Sequence, residues 1–88
     1  MIALRDFDLV PSELTVKAGE VTFFLPNEGR FTHDFRIDSD TVELNSGKVG
    51  ARREKDWQVT LEPGEYRISC RISNHEERGM VGTMTVVP

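Results

Sequence analysis

One cysteine, two histidines and three alanines are all that 88 residues contain of those types, and each scarcity excludes something. A single cysteine forbids an internal disulfide, so the fold rests on packing alone. It also forbids, within one chain, a binuclear centre bridged by two thiolates. Two histidines forbid a multi-histidine cluster, so any metal chemistry is mononuclear. No apolar run approaches the roughly 20 residues of a membrane-crossing helix. Residues 1–20 lack the charged-then-apolar pattern of a secretion signal. The net charge of −4, with Lys and Arg spread along the chain, argues against nucleic acid or an anionic membrane as partner. The chain is long enough for one hydrophobic core and no second module, which predicts a single domain over residues 1–88.

What is abundant is β-branched. Nine Val, four Ile and seven Thr outnumber the three Ala, and these side chains, stiff at χ1, favour strands. Strand-like runs alternate with turn signals. Ile2–Leu9 is the first run, closed by Val10-Pro11-Ser12. Leu14–Val16 and Val21–Leu25, joined through Ala18-Gly19-Glu20, read as a hairpin. Phe31, His33, Phe35 and Ile37 alternate with polar residues, the period of a half-buried strand. Residues 38–54 are polar and irregular, attached through Val42, Leu44 and Val49, with at most a turn or two of helix between 45 and 54. Trp57, Val59 and Leu61 alternate next, and Pro63-Gly64 suits the centre of a type II turn. Tyr66, Ile68 and Cys70 follow, then Met80, Gly82, Met84 and Val86. Together these predict an all-β fold: an antiparallel Greek-key β-sandwich of seven to eight strands.

Chemistry concentrates in Cys70–Met80, spaced Cys-x4-His-x4-Met with His75 between, and in His33 far upstream. Taken singly, an inward cysteine is ordinarily a small core residue, a histidine on an apolar face a satisfied core group, and Met80 a space-filler. Jointly, the only Cys and both His fall into one ligand pattern. Two imidazoles and a thiolate suit the trigonal plane of a copper site, with a thioether as weak axial ligand. Strand parity points Cys70 inward with Tyr66 and Ile68, and His33 inward with Phe31, Phe35 and Ile37, so both meet at one pole.

These residues carry a resemblance. Leu14–Glu20, Asn27, His33-Asp34-Phe35, Pro63–Tyr66 and above all Cys70–Val86, with Gly79-Met80-Val81-Gly82-Thr83, are similar to the cupredoxins, small plastocyanin-like blue copper proteins. The resemblance implies His33, Cys70 and His75 as equatorial ligands and Met80 as the axial ligand of one copper ion cycling between Cu(I) and Cu(II). It implies a monomeric one-electron carrier between larger redox proteins, not an enzyme, with no small-molecule substrate. It implies a place outside the cytoplasm, in a periplasm or at a cell surface. The His75 edge would then lie at the surface as the electron exit, ringed by Ile72, Val81 and Phe31 or Gly29. A copper carrier or sensor domain without rapid redox cycling is the alternative, since it would use the same ligands.

Two positions depart from many relatives. Asp34 stands where Asn often follows the first ligand histidine, and a carboxylate there would favour Cu(II). Ser73-Asn74 stands where Pro-Gly often precedes the second. Glu76 and Glu77 beside His75 would steer a basic partner, while Arg52, Arg53 and Lys55 form a small basic cluster.

Overall fold

The computed structural model describes residues 1–72, 75 and 78–88. Among them are nine strands and no helix: β1 (Ala3–Arg5), β2 (Asp8–Val10), β3 (Glu13–Lys17), β4 (Gly19–Pro26), β5 (Arg36–Asp38), β6 (Glu43–Asn45), β7 (Glu54–Leu61), β8 (Gly64–Ser69) and β9 (Val81–Val87). One layer is a five-stranded sheet in the order β3-β9-β8-β5-β6. The facing layer pairs β4 with β7 over eight residues each, from Gly19–Leu61 to Pro26–Glu54. The β1–β2 hairpin is attached to β4 through Ile2 N–H to Phe24 O, Glu28 N–H to Leu4 O and a parallel bridge between Leu4 and Asn27.

The expected Greek-key sandwich is present, with three local differences. Ile2–Leu9 is two strands, because the chain reverses at Asp6-Phe7 and pairs Arg5 with Asp8. The expected hairpin at 14–25 does not form: β3 joins β9 and β4 joins β7, so residues 18–19 turn the chain from one sheet into the other. Gly19 has φ +111° there, a backbone state that costs glycine little. The β3–β9 pair is parallel, registered from Glu13–Thr83 to Lys17–Val87, whereas every other strand pair is antiparallel. Residues 45–54, where at most a turn or two of helix was expected, contain none. Their backbone is used in β6 and in the His33–Val49 bridge, then in a turn closed by Arg53 N–H on Gly50 O.

Between the layers lie Leu4, Leu9, Phe23, Leu25, Phe35, Ile37, Ile68 and Met84, all buried. Phe35 is fully enclosed, its ring 5.4 Å from Phe23 and 6.0 Å edge-on from Trp57. Each such side chain removed from water contributes about 1.5–3 kcal/mol, which lets the sandwich stand without a disulfide. At the β7–β8 crossing, the Tyr66 hydroxyl donates to Glu62 O at 2.7 Å and pins the corner. The opposite end of β8 delivers Cys70 to the pole where His33 lies.

Candidate metal centre

His33 sits outside the regular strands. Its N–H donates to Val49 O at 3.1 Å, and Val49 N–H returns to His33 O at 2.7 Å. Two residues on, Phe35 N–H donates to the Ser46 hydroxyl and Ser46 N–H to Phe35 O. Asn27, itself buried, donates through Nδ2 to Phe31 O and Val49 O, both at 2.9 Å, and accepts Gly29 N–H on Oδ1. This short irregular segment therefore holds His33, Asp34 and Phe35 all buried. Strict alternation predicted Phe31 inside and Asp34 outside. Instead Phe31 is 52% exposed and Asp34 is 6% exposed, because only Arg36–Asp38 has ladder geometry.

Cys70 follows β8 directly, and its N–H donates to Met80 O at 3.0 Å. Across the loop, His75 N–H reaches Ile72 O, while Arg78 N–H and Met80 N–H both reach His75 O. These bonds hold His75 so that its imidazole lies against the cysteine. Ser73-Asn74, where many relatives have Pro-Gly, and Glu76-Glu77, expected to steer a partner, lie outside the described residues.

Three predicted donors converge. His33 Nδ1 and His75 Nδ1 are 3.1 Å apart, and Cys70 Sγ lies 3.8 Å from the first and 3.6 Å from the second. All three residues are buried. A trigonal ion with bonds of about 2.0 Å to nitrogen and about 2.3 Å to sulfur separates its donors by about 3.5–3.8 Å, so this triangle fits a single metal with little movement. Its softness, one thiolate with two imidazoles, suits copper. Met80 is fully buried beside them, its backbone bonded to both Cys70 and His75.

The electrostatics are those of a closed pocket. Burial pushes the Cys70 thiol up to about 11, against the lowering influence of the Asp34 and Ile72 N–H groups, with the Asp34 carboxylate adding to the rise. Asp34 N–H points at Sγ from 3.5 Å. The Asp34 carboxylate is itself engaged, accepting Arg71 N–H at 2.8 Å on one oxygen and Asn45 Nδ2 at 2.9 Å on the other. Burial, then the neighbouring His33, hold His75 below the usual imidazole value.

His75 is less open than expected. It is only 5% exposed, with the Phe7 ring 4.8 Å away and Phe31 at 6.0 Å. Phe7 and Phe31 stack on each other at 5.6 Å, and the Arg78 guanidinium lies 4.8 Å from the Phe7 ring. Of the ring expected around this histidine, Phe31 is present, and Phe7 from the β1–β2 turn was missed. Asp6, its neighbour, was missed too: Oδ1 lies 2.6 Å from His33 Nε2. In sequence Asp6 and Phe7 fall inside the single run Ile2–Leu9, and nothing local ties Asp6 to a histidine 27 positions away.

A two-layer β-sandwich with two imidazoles and a thiol closing on one point defines a small mononuclear metal-site protein. The chain belongs to the cupredoxin-like domain family, whose model matches residues 1–86. It is 37% identical over 87 residues to a chloroplastic plastocyanin of Fritillaria agrestis, covering 88% of this chain and 51% of that protein. It is 36% identical to chloroplastic plastocyanin B of Populus nigra, covering 88% and 50%. The chain thus spans about half the length of the curated relatives it matches. In fold it is similar to dithionite-reduced auracyanin from the photosynthetic bacterium Roseiflexus castenholzii, with TM-score 0.87, 21% identity, and 99% and 94% of the two chains covered. It is also similar to the Cu(I) form of an amicyanin variant, with TM-score 0.73, 19% identity, and 97% and 78% covered.

Proposed function

We propose that this domain is a blue copper electron carrier, with His33, Cys70 and His75 holding one copper ion and Met80 as the weak fourth ligand. The observation that carries the reading is the closed triangle of two Nδ1 atoms and one Sγ, at 3.1–3.8 Å. Copper in such a site supplies a one-electron couple between Cu(I) and Cu(II). The chain's own residues supply the rest. Packed donors resist rearrangement when the charge changes, and burial of all three keeps water from the centre. An open groove lined by Asp38–Val42, Glu62–Arg67 and Val81–Thr85 contains none of the donors, which suits a carrier better than an enzyme with a substrate at the metal.

Electrons would enter and leave through His75 and the Phe7–Phe31 pair, since Phe31 is the exposed aromatic surface next to a donor. The partners are larger redox proteins, met by a monomer whose 88 residues act as one domain. The plastocyanin relatives are named chloroplastic, and a place of work outside the cytoplasm is part of this proposal. The test is one equivalent of Cu(II) added to the metal-free protein, followed by visible spectroscopy and electron self-exchange. An intense thiolate-to-copper band, absent in Cys70→Ala, with fast self-exchange is the expected result. A band with slow exchange and ready copper release would identify a copper carrier or sensor instead. No band would overturn both readings.

A further inference from the structure

The carboxylate of Asp6 is placed to decide which nitrogen of His33 faces the donor cluster. It comes from the β1–β2 turn, its side chain only 19% exposed, and its two oxygens have different tasks. Oδ2 accepts Arg30 N–H at 2.7 Å, while Oδ1 meets His33 Nε2 at 2.6 Å. A carboxylate can only accept here, so Nε2 must carry the hydrogen. In the neutral imidazole Nδ1 is then a bare lone pair, and it is the atom 3.1 Å from His75 Nδ1 and 3.8 Å from Cys70 Sγ. The same logic makes His75 Nδ1–H the donor in the metal-free His33–His75 contact. The assignment follows from the network of partners.

Gly29 protects this contact. A Cβ built there would lie 2.1 Å from Asp6 Oδ1, 2.7 Å from Asp6 Cγ and 3.0 Å from His33 Nε2. Gly29 is buried, and its N–H is held by Asn27 Oδ1, so the loop cannot easily back away. Any side chain at 29 would have to displace the carboxylate from the imidazole.

We propose that Asp6 is a positioning residue that locks His33 in the Nε2–H tautomer, ring lone pair inward, and that Gly29 is the space this lock requires. The proposal deepens the copper reading above and rests on it for its purpose. Partners of this kind orient a ligating imidazole and raise its basicity, and their loss typically costs about 10–100-fold in metal affinity. The added negative charge also favours the more highly charged oxidation state.

The test uses Asp6→Asn, Gly29→Ala and, as a control, Glu28→Gln, which removes the same charge from an exposed partner of Arg5. An asparagine has one acceptor where the carboxylate has two. Keeping Arg30 N–H on its oxygen turns its NH₂ toward His33 Nε2 and drives the ring to the Nδ1–H tautomer. In the metal-free proteins, ¹⁵N–¹H spectra of the histidine rings should show His33 as Nε2–H in the parent and in Glu28→Gln. That form should be lost or mixed in Asp6→Asn and Gly29→Ala. Cu(II) affinity should fall about 10–100-fold in both, with a positive shift of reduction potential in Asp6→Asn. An unchanged His33 tautomer in Asp6→Asn, with Cu(II) affinity within about twofold, would overturn the proposal. Should Asp6→Asn fail to fold by circular dichroism, Gly29→Ala decides on the same readouts. A parent protein that binds no Cu(II) would defeat the copper reading alone, since the tautomer measurement is made without metal.

Discussion

His33 and His75 offer the same atom to the same point, yet their surroundings differ in almost every respect. His33 is wholly buried, held through its backbone to Val49 and through its outer nitrogen to a carboxylate. His75 sits on a loop whose ring is covered by Phe7 and Phe31. One side of the centre is wired into the sandwich by polar contacts. The other is capped by aromatic rings at the surface. The difference suggests a division of work in the proposed copper site: the first side would fix the position of the metal, and the second would offer a low-dielectric edge to a partner.

The contrast can be broken most forcefully from beneath the His33 side. Phe35→Ala removes a fully buried ring packed on Phe23 and Trp57. It should cost about 3–5 kcal/mol in urea unfolding of the metal-free protein. A loss below about 1 kcal/mol would mean that His33 does not depend on this floor. Asn27→Ala comes next. It strips Phe31 O and Gly29 N–H of their side-chain partner and leaves a buried gap, for an expected loss of about 1–3 kcal/mol.

The His75 side can be probed through pH. With its folded pKa held below the unfolded value of 6.5, the native state binds fewer protons than the unfolded one. Stability of the metal-free protein should therefore be full above about pH 6.5 and fall as acid charges the unfolded imidazole. The Asp6 carboxylate, held below its usual value by the Arg30 and Phe31 N–H groups and by His33 despite its partial burial, keeps its contribution until lower pH. Unfolding at about pH 7.5 and about pH 5.5 should show the loss, and His75→Asn should flatten it.

Asp34→Asn sharpens the electrostatic side of the comparison. Removing this charge should raise the reduction potential by tens of millivolts, about 59 mV being a tenfold preference for one electron. The variant gives up the Asn45 contact, because Asn45 Oδ1 is already used by Gly47 N–H. An unchanged potential would show that the charge is spent on Arg71 and Asn45 and not felt at the metal. The smallest effect on stability belongs to Phe31→Ala at the exposed cap, within about 0.5 kcal/mol. Its expected consequence is slower electron exchange, and an unchanged rate would move the exit elsewhere.

How much of this was readable in advance depends on the range of the interaction. Cys70, His75 and Met80 lie within eleven residues, so their spacing and chemistry pointed to a candidate metal-binding loop. The inward parity of Cys70 with Tyr66 and Ile68 also held, because β8 is a regular strand. Parity misled at Phe31 and Asp34, where Asn27 and Val49 replace the ladder and twist the chain off its period. The hairpin expected at 14–25 is absent for a similar reason: a short turn serves equally well to pair two strands or to carry the chain between sheets, and only burial of both faces selects between them.

By itself the sequence determined the composition of the fold and of the site. Its β-branched runs and turns favour strands, and its few Cys and His leave one candidate set of imidazole and thiol donors. The tertiary structure alone decided that β3 runs parallel to β9, that Phe7 caps His75, and that Asp6 reaches His33 across 27 positions. Those outcomes follow from which faces bury most apolar surface when two sheets close, a choice distributed over the whole chain and written in no single segment.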